Sequence, residues 1–339
     1  MRLKILGVSS GLGASLFPFK KYLVGNIECR GLFHTTNNEN WVNNFGSIQL
    51  IKTISKPWKL DDKPNIIISS PDCGSGSVLR YSRAKELGDH KKNISLILFF
   101  SSMEKYKPKF FLFENLDGLF KSFKEEDFRQ ALSSYRLVIH NTSVSAFGNS
   151  QYSRKRLIIV GIREDLDKRV DKYFKLPNLE SNTKTCKELY GDLTATRNPE
   201  ICHERESYTD VISIHARKRM RICDIQEEWV TRLKGKKRWT TTPEFKFSTA
   251  PGVYRNLDDD YPSTARKANR QFDGRGLMLT PRQLARIQGV PDEFKLHYDP
   301  KKHNYWINKG RTVVTKSPPY EISLWFKRCL IKLNKKQLI

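Results

Sequence analysis

Short apolar runs separated by polar, helix-forming stretches set the rhythm of the first half of this chain. Leu3–Val8, Val24–Ile27, Ile66–Ser69, Phe110–Phe113, Leu137–Ser145 and Leu157–Ile162 are rich in β-branched and aromatic residues and read as strands. Ile94–Tyr106 and Glu126–Ser134, between them, read as helices. Such alternation predicts an α/β fold: a doubly wound, mostly parallel sheet with helices on both faces. From about residue 166 the rhythm breaks into long polar stretches with scattered prolines, which reads as a second, smaller domain. Regular pattern returns at Pro281–Gln288, a short helix with Thr280 as N-cap and proline at its first position, and at Pro319–Leu333, an amphipathic helix. The predicted organisation is residues 1–165 with 310–339 in one domain and 166–309 in the other.

Composition narrows the partners. The 339 residues carry a net charge of +25, which attracts a polyanion such as nucleic acid or an anionic membrane surface. The excess is concentrated in Arg217–Arg238, with nine Lys/Arg against three acids, and in Lys295–Lys316, with six against one. No apolar run approaches the roughly 20 residues needed to span a bilayer, and the start MRLKILGVSS does not read as a secretory signal, so a membrane role is not expected. Six scattered cysteines argue against a disulfide framework. Cys186, Cys202, His203 and Cys223 include no Cys-x-x-Cys pair, so no metal is expected.

In an open parallel sheet, ligands bind beyond the carboxyl ends of the strands, so what each strand delivers there is informative. Strand one runs into Ser10-Gly11-Leu12-Gly13-Ala14, a tight glycine turn that lets backbone approach a nucleotide-like ligand. The next ends at Glu28, placed to accept hydrogen bonds from ribose hydroxyls. A third runs into Ser70-Pro71-Asp72-Cys73-Gly74-Ser75-Gly76-Ser77, which puts a thiol at a strand end on a glycine- and serine-rich loop. The fourth delivers Glu114-Asn115, although Asn115 also suits capping of a following helix. A thiol and a carboxyl at one edge suit nucleophilic addition to an electron-poor ring whose nitrogen is supported by an acid.

These residues resemble the cytosine carbon-5 DNA methyltransferases. The ordered motifs SGLGA at 10–14, SPDC at 70–73, ENL at 114–116, SRKRLIIVG at 153–161 and LTPRQLARIQGVPDEF at 279–294 carry the likeness, with a long variable gap between Gly161 and about Tyr261. The resemblance implies a Rossmann-like methyltransferase fold whose smaller domain is a target recognition domain. It implies S-adenosylmethionine held by Ser10, Gly11, Leu12, Gly13, Glu28 and Pro71. It implies catalysis by Cys73, which attacks carbon 6 of a flipped cytosine, and by Glu114, Arg154 and Arg156. Double-stranded DNA would be met by Asn115, Gly74, Ser77, Arg217, Lys218 and Arg219. The implied protein is a monomer working on DNA in the cytoplasm of a bacterium or a virus-infected cell.

The departures from the family pattern are specific. Asp72-Cys73-Gly74 stands where Pro-Cys-Gln is usual, and a carboxylate beside the thiol opposes thiolate formation. Ser9 replaces a phenylalanine, and the glutamine before Arg154 is either displaced to Gln151 or replaced by Tyr152. Val314-Thr315-Lys316-Ser317-Pro318-Pro319 stands where Gly-Asn precedes the last helix. Three alternatives stay open at this stage. They are the same chemistry on tRNA, a catalytically lapsed DNA binder, and a nicotinamide-dependent oxidoreductase, the last of which leaves Cys73 and Glu114 without a role.

Overall fold

The all-buried strand Ile66-Ile67-Ile68-Ser69 lies inside the sheet that organises the protein, its isoleucines covered on both faces as a parallel strand requires. The computed structural model describes residues 2–29, 35–53, 59–71, 94–121, 124–151, 154–179, 183–195, 280–297, 310 and 312–339. Seven strands form the sheet: β1 (Ile5–Val8), β2 (Leu23–Cys29), β3 (Leu50–Thr53), β4 (Ile66–Ser69), β5 (Phe110–Asn115), β6 (Tyr135–Ser143) and β7 (Lys155–Arg163). Their order is β3-β2-β1-β4-β5-β7-β6. Strands β3 to β5 pair in parallel, and β7 runs antiparallel to both of its neighbours, β5 and β6. The order reverses between β1 and β4, and such a switch point opens a crevice at the carboxyl ends of the strands.

The helices are α1 (Thr35–Phe45), α2 (Ile94–Tyr106), α3 (Glu125–Ala131), α4 (Cys186–Ala195), α5 (Pro281–Ile287) and α6 (Tyr320–Lys335). Helix α2 buries Leu96, Leu98, Phe99, Met103 and Tyr106. Phe99 meets Phe111 and Phe113 of β5 at ring separations of 5.5 and 4.9 Å, and Phe113 meets Phe128 of α3 at 5.2 Å. This aromatic cluster fixes β5, and with it the residues at the end of β5. Helix α6 presents Ile322, Trp325, Phe326, Cys329, Leu330 and Leu333 as one buried stripe at helical spacing.

The chain divides into two compact units, residues 1–183 with 316–339, and residues 184–315. The first reaches further than the boundary expected at 165. Its extra segment contains a 3-10 helix, Lys168–Phe174, whose Phe174 packs at tilted and edge-on angles against Phe110, Trp325 and Phe326 and whose Asp171 pairs with Arg136 at 2.9 Å. Polar sequence hides these two anchors. In the second unit, α5 begins with a capping box between Thr280 and Gln283. Arg286 pairs with Asp292 and Asp192 at 2.5 Å each, and the fully buried Arg282 donates to the carbonyls of Pro291 and Phe294. The distinctive LTPRQLARIQGVPDEF segment thus spends its arginines on its own turn and on α4.

Other expectations shift locally. The strand read as Leu137–Ser145 is Tyr135–Ser143, because Val144–Phe147 tighten into a 3-10 turn closed by Gly148 at φ 88°. The helix read as Glu126–Ser134 ends at Ala131, where the chain turns into β6. Strand β3, helices α1 and α4, and the 3-10 helix Ala14–Tyr22 were not foreseen. Among the described residues, no helix is long and apolar enough to cross a membrane, and no three His, Cys, Asp or Glu residues group as metal ligands. Cys186 is buried, whereas Cys202, His203 and Cys223 lie outside the described residues.

Candidate active site

Strand register explains which side chains meet at the carboxyl edge. Val8 of β1 stands beside Ile27 of β2 and Ser69 of β4, and Ser69 stands beside Phe113 of β5. One position further on come Ser9, Glu28, Ser70 and Glu114, in a row across the switch point.

At the β1–β2 side, the turn takes its shape from Gly11 at φ 61° and Gly13 at φ 83°, backbone conformations that side-chain-bearing residues rarely adopt. A Cβ at Gly13 would come within 2.9 Å of the Phe45 ring, so the turn packs directly on α1. A Cβ at Gly11 would meet nothing within 4 Å among the described residues, which leave the turn open there. Glu28 Oε1 accepts from Ser10 Oγ at 2.9 Å, Gly11 N at 3.0 Å and Asn26 Nδ2 at 2.9 Å. Asn26 reaches it because residues two apart on a strand share a face. Glu28 is only 5% exposed, and burial pushes its carboxyl up to about 7 against the opposing pull of these hydrogen bonds. Nearby, Ser9 Oγ, Ser69 Oγ and Asn26 Oδ1 are buried with no hydrogen-bond partner among the described residues.

At the β4–β5 side, Glu114 is 6% exposed and both of its oxygens are held. Oε1 pairs with Arg156 Nε at 2.8 Å, and Oε2 accepts from Ser70 Oγ at 2.6 Å. Arg156 is brought there by the antiparallel pairing. Glu114 stands opposite Ile158, so Arg156, two residues earlier on β7, shares its face as a diagonal neighbour within reach of a long side chain. Asn115 is buried, donating to the Pro71 carbonyl at 3.2 Å while its Oδ1 accepts from Leu116 N at 2.8 Å. It anchors the chain at Pro71, the last described residue before Cys73.

Arg154 is tied to another part of the chain. It is 2% exposed and donates through Nη2 to the Ser317 carbonyl at 3.0 Å, tying the β6–β7 turn to the start of α6. Gln151 is buried beside it, donating from N and Nε2 to Asn149 Oδ1, and Asn149 Nδ2 donates to Glu321 Oε2 at 2.8 Å. Burial pushes the Glu321 carboxyl up to about 7. So Gln151 is built into the turn, and Tyr152 lies outside the described residues.

The structure therefore brings Ser10, Gly11, Gly13 and Glu28 together at one side of the edge and Pro71, Glu114, Asn115 and Arg156 at the other. Leu12, between the two glycines, is buried. Cys73, Gly74, Ser77, Arg217, Lys218 and Arg219 lie outside the described residues, as does Asp72. Asn26 and Ser70 escaped sequence reasoning. Asn26 carried a usable signal in its two-residue spacing from Glu28, and Ser70 stood in plain view before Pro71 but has a side chain too common at turns to single out.

Comparison with known proteins shows the family. The family described as C-5 cytosine-specific DNA methylase matches residues 23–313. The type II methyltransferase M.NgoPII of Neisseria gonorrhoeae is 25% identical over 300 residues, covering 84% of this chain and 82% of its own. The type II methyltransferase M.MthTI of Methanothermobacter thermautotrophicus is 24% identical over 309 residues, covering 84% and 86%. Among solved structures, a DNA modification methyltransferase described as putative and encoded in an E. coli prophage superposes with a TM-score of 0.62 at 17% identity, covering 98% of this chain and 99% of its own. The S. pombe Dnmt2 methyltransferase gives 0.62 at 13% identity, covering 98% and 100%. With the family matched from β2 through residue 313, this chain belongs to the C-5 cytosine-specific DNA methylases.

Proposed function

We propose that the protein is an S-adenosylmethionine-dependent DNA (cytosine-5-)-methyltransferase in which Cys73 is the nucleophile and Glu114 supports the base. The observation that carries this reading is the pairing, on one sheet edge, of a glycine turn bonded to Glu28 with a buried carboxylate clamped by Arg156. The edge around β1 fits an adenosine-bearing donor: Glu28 is a buried acceptor for ribose hydroxyls, and among the described residues nothing fills the space at Gly11 and the buried hydroxyls of Ser9 and of Ser69, on the adjacent β4, have no partner. When bound there, S-adenosylmethionine supplies an electrophilic methyl group.

The residues then divide the work. The Cys73 thiolate forms a bond to carbon 6 of cytosine, and the displaced ring electrons make carbon 5 nucleophilic while Glu114 holds a proton at ring nitrogen 3. Arg156 keeps the Glu114 carboxylate in place without consuming its remaining lone pairs. After carbon 5 gains the methyl group, it loses its proton to a base, the sulfur–carbon bond breaks, and the ring is restored with the thiolate released. Asn115, through Pro71, anchors the chain that leads to the nucleophile. A duplex substrate must present the base flipped out, at a cost of a few kcal/mol, and the +25 charge favours the phosphate contacts that offset it.

The test is transfer of tritiated methyl groups from S-adenosylmethionine to unmethylated double-stranded DNA and to tRNA in parallel. Label in DNA, recovered as 5-methylcytosine and lost in Cys73→Ala, is the expected result. Label in tRNA alone removes the DNA assignment. Failure to form a covalent adduct with DNA containing 5-fluorocytosine identifies a lapsed binder.

A further inference from the structure

We propose that Ser70 is a positioning residue for Glu114: its hydroxyl fixes one carboxylate oxygen as Arg156 fixes the other, so that the remaining acceptor capacity faces the target base. The inference rests on the reading of Glu114 as the group that supports the cytosine ring. Ser69 and Phe113 are paired across β4 and β5, so Ser70 and Glu114 are the first residues beyond that pair on two adjacent parallel strands. The 2.6 Å contact from Ser70 Oγ to Glu114 Oε2 follows from this placement, although 44 residues separate the two in sequence.

An ionised carboxylate offers about four lone-pair sites, two on each oxygen. Among the described residues, Arg156 Nε takes one on Oε1 and Ser70 Oγ one on Oε2. One site on each oxygen remains. That matches the cytosine edge, where a protonated ring nitrogen and an exocyclic amine are adjacent donors and ask for two acceptors side by side. With Arg156 alone, the carboxylate could still rotate about its last side-chain bond and lose that alignment. A second holder on the other oxygen removes this freedom before the base arrives, and preorganisation of this kind is what electrostatic support of a transition state requires.

A hydroxyl is well suited to the role. Unlike a second cation, it adds no charge that would make proton sharing with the base harder, and it can turn to accept when Glu114 itself carries the proton. The Asn115 side chain fixes the same stretch of chain through the Pro71 carbonyl, so the backbone of the Ser70–Pro71 segment is tied to the end of β5 independently of the hydroxyl. Removing the hydroxyl should therefore loosen the carboxylate without releasing the strand end.

The experiment measures steady-state methyl transfer from tritiated S-adenosylmethionine to unmethylated genomic DNA for wild type, Ser70→Ala, Ser70→Thr, Glu114→Gln and the Ser70→Ala/Glu114→Gln pair. Loss of a hydrogen bond to a charged group predicts a fall in kcat of about tenfold to a hundredfold in Ser70→Ala, with KM for both substrates within about twofold of wild type. Ser70→Thr, which keeps the hydroxyl, is expected to recover most of the rate. In the Glu114→Gln background, Ser70→Ala is expected to cost less than threefold more, because a residue acting through Glu114 has little left to position. Wild-type kcat in Ser70→Ala, no recovery by threonine, or a full independent loss in the double variant each overturns the proposal. If Glu114→Gln is as active as wild type, the reading of Glu114 fails first and the role of Ser70 falls with it; an inactive Glu114→Gln with an unaffected Ser70→Ala overturns the role of Ser70 alone.

Discussion

Replacing Glu28 by glutamine should stabilise the ligand-free protein while weakening cofactor binding, and the size of the first effect follows from burial. The ordinary value for this carboxyl is 4.5, and burial raises it to about 7 in the fold. The folded state therefore binds the proton more tightly than the unfolded chain. Below pH 4.5 the group is neutral in both states and costs nothing by ionisation. Between 4.5 and 7 the unfolded chain ionises while the folded one does not, so stability falls as pH rises. Above 7 the full cost is in place, about 3 kcal/mol at about 1.4 kcal/mol per pH unit. Glutamine keeps an Oε1 acceptor for Ser10 Oγ, Gly11 N and Asn26 Nδ2 but never ionises. In urea unfolding without cofactor, Glu28→Gln should exceed wild type by less than about 1 kcal/mol at pH 5 and by about 3 kcal/mol at pH 8. Calorimetric titration with S-adenosylmethionine completes the test. Wild-type affinity should weaken about tenfold from pH 8 to pH 6, as the ionised acceptor is lost, and the variant should bind at least tenfold more weakly at pH 8 with little pH dependence. A stability gap that is the same at both pH values, or a variant less stable at pH 8, refutes the reasoning.

Other outcomes are equally specific. Arg156→Ala leaves the buried Glu114 without its cation, and methyl transfer should fall at least about a hundredfold while S-adenosylmethionine affinity, governed by the Glu28 side, stays within about twofold; a parallel loss of affinity refutes the separation. Gly161 stands opposite Phe111, and a Cβ there would collide with the Phe111 ring, so Gly161→Ala should cost about 3 kcal/mol in chemical unfolding, with partial recovery in the Gly161→Ala/Phe111→Leu pair. Removing the charge next to the proposed nucleophile in Asp72→Asn should lower the Cys73 pKa, read as faster modification of that thiol by iodoacetamide at pH 7 and located by mass spectrometry.

The parts of the fold legible in the sequence are those where burial alone decides structure. Ile66–Ser69 and the apolar run of β5 could be little else than inner strands, and the 13 residues of α2 stand where the apolar pattern put them. Strand β3 was hidden because Leu50-Ile51-Lys52-Thr53 is a short edge strand with a polar half. Helix α1 was hidden by its asparagines, weak helix formers whose segment is held by Trp41 and Phe45 packing beneath the glycine turn. The interior Pro18 disguised the 3-10 helix that follows that turn. In the candidate site, the placement of Glu28 and Glu114 at the sheet edge was legible because both stand near the ends of apolar strands. The family resemblance grouped Arg154 with Arg156, and the two guanidiniums have different partners: that of Arg156 reaches Glu114 and that of Arg154 the Ser317 carbonyl. Spacing alone cannot reveal which partner a long side chain selects.

The reversed strand β7 makes the clamp on Glu114 a long-range feature of the chain. The glycine turn and Glu28 belong to β1 and β2, adjacent in chain and in sheet, so their hydrogen bonds join residues no more than 18 apart in sequence. Glu114 and Ser70 follow with β4 and β5. Arg156 arrives only after the chain has passed through β6 and doubled back between it and β5. A chain cut short before β7 keeps the residues of the glycine turn and of the carboxylate but lacks the cation that pairs with the acid.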